Sequence, residues 1–394
     1  MRWDVAALTS EQLSIFMDLV YESRQIRRLD FDNWAAIAQH LIRTGRQLDA
    51  IAVLTEAIVQ LPAEPRLQVL LALVWVEGKQ RDTAREILAR LPHIASDDRL
   101  GCIARLELLL RLEAGAELET AATELLSLDP THAHALAAMG LLARQRDQPH
   151  KMLPLCRAAL EIEPYNTGAY HEFAVALSLL GRTAEARQLI DVTRFVTVSD
   201  LTTPAAFVDA AAFEAALASE IGNNPTLRLD PAGKATRGGQ QTADGLPHRC
   251  EPAMAMLLDL VRQAVDDFES KLPLDSACAF VDRRPKAARI NAWAVVYPGG
   301  GRQLPHIHPD GWLSGVVCIR APQVPPGGRG GNLVLGALEI DGREVAPAWG
   351  IREIRPVPGR LVLFPSYMPH ATVPTNATGD RICVSFDIIP VPAP

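Results

Sequence analysis

Along residues 10–200 the apolar positions recur every three to four residues. Ala and Leu dominate and Gly and β-branched residues are sparse, which together predict helix throughout. The pattern changes after Val196. Residues 207–221 predict a short amphipathic helix and residues 251–272 a longer one, with a polar, Gly-rich stretch between them. Beyond Ala288 the apolar runs shorten to strand length, over 290–297, 313–319, 332–335, 359–364 and 382–389. Gly and Pro punctuate these runs, as in Pro298-Gly-Gly-Gly301 and Pro325-Pro-Gly-Gly-Arg-Gly-Gly331. No Lys-Ser/Thr follows the triple glycine and no helix begins there, so it is read as a hairpin turn and not as a phosphate loop. Many short strands separated by turns predict a sandwich or jelly roll.

The helical half is internally repetitive. Pro62, Pro130 and Pro164 fall on a 34-residue grid, preceded by Leu, Leu-Asp and Ile-Glu respectively. That period resembles tetratricopeptide repeats. Trp34, Leu41, Gly45, Ala50, Leu54, Ala57 and Pro62 occupy the motif positions in the first unit, and Tyr170, Leu177, Gly181 and Ala186 in the last complete one. The unit around residues 101–128 keeps Ala121, Ala122 and Leu126 but drifts by a few residues, and about five helical hairpins are expected in all. Stacked hairpins of this kind present a concave surface, so the expected partner is a protein or peptide.

Composition narrows the classes. A formal charge of -7 without a Lys/Arg run gives no footprint for nucleic acid. No stretch reaches the ~20 apolar residues of a membrane span, and the N-terminus lacks a long apolar core, so a cytoplasmic protein is expected. The six cysteines are scattered without a Cys-x-x-Cys pair, which predicts reduced, mostly buried thiols and neither a zinc ribbon nor a disulfide framework.

The chemistry concentrates between Gln303 and Val316 and at two later points. In an extended strand alternate side chains share a face, so His306, His308 and Asp310 can point the same way. His370, after the Pro-punctuated run Phe-Pro-Ser-Tyr-Met-Pro, supplies a distant imidazole. Imidazoles, with or without a carboxylate, on one edge form the ligand set that holds non-haem iron(II) with positions left open. Arg381 opens a buried apolar strand, a costly place for a guanidinium unless a carboxylate meets it. His132-Ala-His134 has the same His-x-His spacing but opens a helix, where positions i and i+2 do not face each other, so a cap or a packed imidazole is expected there.

These residues carry a resemblance. From about Asn291 to Ile389 the chain is similar to the iron(II)/2-oxoglutarate-dependent oxygenases, nearest to a bacterial group with His-x-His-Pro, then Leu-Ser-Gly-Val, Phe-Pro-Ser, His and Arg-Ile. The repeats predict an α-solenoid over residues 10–200, and the resemblance implies a helical lead-in with a Gly-rich loop over 201–288 and a double-stranded β-helix (jelly-roll) core over 289–394. Its cofactors are Fe(II) and 2-oxoglutarate, with His306, His308 and His370 in the metal site and Arg381 on the distal carboxylate of the co-substrate. Asp310 stays open as an alternative ligand, because the usual acidic residue two after the first histidine is replaced by His308. Cys383 stands two after the arginine, where many relatives carry a serine that helps bind the co-substrate. The implied chemistry couples oxidative decarboxylation of 2-oxoglutarate to attack on a C–H bond of a protein, peptide or small-molecule substrate positioned by the repeats, with hydroxylation the default outcome.

Other readings remain open. Trp293 and Tyr297, and likewise Trp312 and Ser314, read equally well as pocket wall or core. Arg237 and Gln240 lie in a stretch, residues 224–242, similar to the lead-in of the same bacterial group, and read as a lid over substrate or as a solvated linker. The rival to an enzyme is a tetratricopeptide adaptor carrying an inactive or cupin-like metal-binding jelly roll.

Overall fold

The computed structural model describes residues 29–391 apart from 44–45, 78–79, 92–97, 113, 232–233, 249–250, 273–277, 283, 341 and 376–378; Gly45 and Cys250 therefore lie outside the described residues. By internal contacts the chain forms two compact units, residues up to Pro130 with 232–234, and residues 131–231 with 235–394.

Among the described residues the first unit holds three helical hairpins: α1 Phe31–Arg43 with α2 Gln47–Gln60, α3 Pro65–Glu77 with α4 Arg81–Ala89, and α5 Arg99–Leu112 with α6 Gly115–Leu128. Two more open the second unit, α7 Ala133–Gln145 with α8 Pro149–Ile162 and α9 Thr167–Leu179 with α10 Thr183–Leu189. The first helix of each pair starts at 31, 65, 99, 133 and 167, so the 34-residue period holds through the backbone. The drift expected around 101–128 is confined to the apolar pattern, where Leu125 is buried beside Ala121 and Ala122 and Leu126 only partly. Motif positions are core positions: Trp34, Leu41, Ala50, Leu54 and Ala57 are all essentially inaccessible. Small residues let the helices of a hairpin approach, and a Cβ at Gly140 would lie 2.7 Å from Cys156 Sγ. Side chains close the starts of α7 and α9, where His132 accepts from the Ala135 N–H and Asn166 from that of Ala169.

The rest of the second unit is an antiparallel β domain of jelly-roll class with helices against it. Its strands are β1 Thr197–Asp200, β2 Arg228–Leu229, β3 Thr236–Arg237, β4 Gln240–Gln241, β5 Ala288–Tyr297, β6 Arg302–Gln303, β7 Leu313–Arg320, β8 Leu333–Leu335, β9 Leu338–Ile340, β10 Arg343–Val345, β11 Arg352–Ile354, β12 Arg360–Pro365, β13 His370–Thr372 and β14 Arg381–Pro390. The large sheet runs β1-β12-β7-β14-β5-β4-β2 and the smaller one β11-β8-β13. At its centre β14 pairs along its full length with β5 and from Ile382 to Ile388 with β7, which covers both of its edges. Helices α11 Ala210–Gly222 and α12 Pro252–Lys271 pack beside it, as the amphipathic pattern predicts.

Two expectations change. The triple glycine is not the turn of a hairpin: β5 pairs with β14 and β4, while β6 pairs with β3. Gly301 is needed for a close approach, since a Cβ there would lie 2.2 Å from Tyr297 Cδ1 and 2.5 Å from the Gly238 carbonyl. The polar stretch before residue 242 is likewise not a solvated linker, because β2, β3 and β4 are stitched into the sheets and Thr236 and Gln241 are buried.

The last hairpin is joined to the β domain by specific contacts. Thr167 Oγ1 donates to the Gly311 carbonyl at 3.1 Å, and Tyr170 stacks on Tyr367 with ring centroids 4.9 Å apart. Tyr367 Oη donates to the Leu189 carbonyl at 2.6 Å. Trp312 stacks on Phe280 and donates its Nε1–H to the Phe280 carbonyl, which places it in this core.

Candidate functional site

The site is assembled by backbone pairing. After β6 the chain stays extended, and His306 forms a bridge with His370 at the start of β13: each N–H donates to the other's carbonyl, at 3.1 and 3.0 Å. The His308 N–H donates to the Ser366 carbonyl at 3.0 Å. Alternation along the extended segment then puts His306 and His308 on the face that His370 meets. The ring centroids of His306 and His370 are 4.1 Å apart, those of His306 and His308 5.1 Å, and those of His308 and His370 4.8 Å.

The tautomers follow from the acceptors. His306 Nδ1 lies 2.7 Å from the Leu304 carbonyl and His370 Nδ1 3.1 Å from that of Met368; a carbonyl only accepts, so both Nδ1 atoms carry the hydrogen. His308 Nδ1 is bonded to Asp387 Oδ1. Each ring is left with a bare Nε2. The Nε2 atoms of His306 and His308 are 3.2 Å apart, and the ligand atoms of all three histidines lie within 4.8 Å of one another. Facing lone pairs repel unless a cation sits between them, and metal–imidazole bonds of about 2 Å bring neighbouring ligands about 3 Å apart. Burial and the adjacent His308 hold His306 down to about 4, and burial with both neighbours holds His370 well below the usual histidine range. His306 and His370 are thus neutral ligands at neutral pH. Among the described residues this is the one group of three or more such side chains that could hold a metal ion.

Beside the histidines the same cavity is lined by Trp293, Gln303, Arg381, Cys383 and Ser385. Arg381 is 4 % exposed, and its Nε and Nη1, like Tyr297 Oη, are buried without a hydrogen-bond partner. Its guanidinium carbon is 5.7 Å from the centre of the Tyr297 ring. A carboxylate is the group that would satisfy an orphaned guanidinium and an orphaned hydroxyl together. Burial raises the Cys383 thiol, so it presents a neutral S–H and not a thiolate. Thr236 Oγ1 donates to Gln241 Oε1 at 2.7 Å and accepts from Gln303 Nε2 at 3.1 Å, tying β3, β4 and β6 together at this end of the cavity.

Not every candidate comes to this place. Asp310 is exposed in the turn after Pro309 and is not part of the ligand group. Arg237 is exposed on β3, and Gln240 pairs with Val296 on β4; neither lines the cavity. His132 caps α7 and His134 is exposed beside Glu163. The residue that spacing did not single out is Asp387. Its signal was there in the period of β14, where Arg381, Cys383, Ser385 and Asp387 alternate with Ile382, Val384 and Phe386 and so share one face.

Residues 291–387 match the family described as "Putative 2OG-Fe(II) oxygenase". The match to that family lies within the C-terminal domain. The cofactors of this oxygenase domain are Fe(II) and 2-oxoglutarate, and the three imidazoles and the unpartnered Arg381 fit them. Solved structures similar to the chain include a Pseudomonas putida prolyl-4-hydroxylase, 19% identical over 51% of this chain and 96% of that one, with a TM-score of 0.36. A Trichoplax adhaerens prolyl hydroxylase, in complex with a hypoxia inducible factor peptide fragment, is 15% identical over 53% and 91%, TM-score 0.36. MamA from Desulfovibrio magneticus is 13% identical over 40% and 89%, TM-score 0.34. No curated protein matches the sequence.

Proposed function

We propose that the protein is an iron(II)- and 2-oxoglutarate-dependent dioxygenase that hydroxylates a protein or peptide substrate brought to it by the helical repeats. The observation that carries this reading is the convergence of three bare Nε2 atoms in one cavity with a buried guanidinium that has no carboxylate partner. In this reading His306, His308 and His370 hold the iron. Arg381 and the Tyr297 hydroxyl take the distal carboxylate of 2-oxoglutarate, and the Cys383 S–H faces the co-substrate. Trp293, tilted against His308 at 5.4 Å, walls the site and excludes water. When bound, the iron and 2-oxoglutarate supply the oxidising power for dioxygen chemistry, with succinate and carbon dioxide released. Arg237 and Gln240 are assigned to substrate contact outside the cavity. The reaction is placed in the cytoplasm, in keeping with five described cysteines that are all free and buried.

The role of the repeats rests on their period and on the contacts of the last hairpin. Thr167 and Tyr170 bear on Gly311 and Tyr367, each within a few residues of a proposed ligand. The test is anaerobic reconstitution with Fe(II) and 2-oxoglutarate, then addition of dioxygen. Succinate should form slowly alone and faster with substrate, and crosslinking with Mn(II) in place of iron should trap the substrate without turnover. No 2-oxoglutarate-dependent turnover with any trapped protein or peptide, and none in the absence of substrate, would falsify the reading.

A further inference from the structure

The proposed ligand set has no carboxylate: two of its imidazoles stand in a His-x-His pair and the third is His370. No side chain in contact with the metal then offsets its charge. Directly behind His308 there is such a group. Asp387 is 7 % exposed, and its Oδ1 accepts the His308 Nδ1–H. Ser314 Oγ donates to the same oxygen at 2.6 Å and lies 2.8 Å from Ser366 Oγ. Gly311 lies over this network, since a Cβ there would fall 2.4 Å from Ser366 Oγ and 3.3 Å from Asp387 Cβ.

Among the described residues no lysine or arginine pairs with Asp387; His308 is its one ion-pair partner. A buried carboxylate without a cation is costly, and an imidazole that is itself neutral does not offset that cost. An imidazole that carries a dication on its other nitrogen does. The hydrogen bond to Nδ1 also selects the tautomer with Nε2 free and fixes the plane of the ring.

Resting on the three-histidine reading of the metal site, we infer that Asp387 is a positioning residue that supplies, from behind His308, the negative charge the ligand set lacks. The sequence therefore keeps one carboxylate in the site but moves it one bond network outward.

The experiment is a titration with Mn(II), followed by electron paramagnetic resonance, on the full chain and its variants. The unaltered protein should bind Mn(II); no binding would overturn the metal-site reading itself. Asp387→Asn, isosteric and still able to accept from Nδ1, should weaken Mn(II) binding roughly tenfold to a hundredfold with an unchanged melting temperature in the absence of metal. In a His308→Asp background, where a carboxylate at the ligand position already offsets the charge of the metal, Asp387→Asn should weaken binding far less. Equal affinity of Asp387→Asn and the unaltered protein overturns the inference. So does the same loss in both backgrounds, which a merely structural role of Asp387 would produce. If Asp387→Asn does not fold, nitrogen-15 shifts of His308 in the unaltered metal-free protein decide: a protonated Nδ1 supports the inference and a protonated Nε2 overturns it.

Discussion

At the scale of single residues the site separates into groups whose loss has distinct signatures. Arg381→Ala removes charge-assisted hydrogen bonds contributing about 1.5–3 kcal/mol each, and two are available from its orphaned Nε and Nη1. The affinity for 2-oxoglutarate should fall by roughly a hundredfold or more while Mn(II) affinity is kept, as read by anaerobic titration of each. His306→Ala and His370→Ala should abolish metal binding, since each removes one of three converging nitrogens. Asp310→Ala should leave it intact, because that side chain points to solvent. Full metal affinity in His306→Ala together with its loss in Asp310→Ala would reverse the assignment.

At the scale of elements, two features of the second unit make opposite demands. β3 reaches β6 only because Gly301 and Gly238 bring their backbones together. Gly301→Ala drives a methyl into Tyr297 and the Gly238 carbonyl, and should cost about 1–3 kcal/mol of stability and weaken 2-oxoglutarate binding, measured by thermal denaturation and titration. On α9, burial lowers His171 to about 4 and raises Glu172 to about 7, the latter against the opposing pull of Arg144 at 2.9 Å. The depressed histidine contributes stability that is present above its unfolded value of 6.5 and is lost as pH falls toward 4. The raised carboxyl contributes stability that is present below 4.5 and is lost as pH rises toward 7. The two slopes oppose each other between these values. His171→Gln should therefore melt at lower temperature as pH rises from 4.5 to 7, and Glu172→Gln as pH falls from 6.5 to 4; slopes of the same sign in the two variants would contradict the assignment.

For the whole molecule the division at Pro130 has a practical consequence. A chain starting at Thr131 retains hairpins α7–α10 and should melt cooperatively and bind Mn(II). A chain starting at Leu201 loses the Thr167 bond to Gly311, the stack of Tyr170 on Tyr367 and the Leu189 carbonyl that accepts from Tyr367. Buried aromatic surface at Tyr367 is then exposed next to the turn that leads to His370, so this shorter chain should aggregate or melt well below the longer one. Equal melting temperatures would show that these contacts contribute little. Comparison of substrate turnover by the Thr131 chain and the full chain then isolates what the residues before Thr131 do for recognition.

Much of this was legible along the chain because periodicity is local. The 34-residue grid recurs in the starts of the five described hairpins, and the apolar runs 290–297, 313–319, 332–335, 359–364 and 382–389 fall within a residue or two of β5, β7, β8, β12 and β14. The three histidines and Arg381 also stood out, since a polar group in an apolar strand needs a reason. Asp387 was hidden because its partner is 79 residues away and no spacing rule links them. The choice between His308 and Asp310 could not be made from alternation alone, which puts both on one face. In the fold the two part: Pro309 turns Asp310 out to solvent, while His308 is buried beside the bridged His306 and His370. Sequence determined which elements form and which residue types carry the chemistry, because both depend on near neighbours. Only the tertiary structure decided that the glycines at 299–301 lead into β6, which pairs with β3, and not into a hairpin, that the last hairpin packs on the turns before His370 and after His308, and that a carboxylate stands behind His308. Those contacts join segments distant in sequence, and only packing decides between the many pairings that local preference allows.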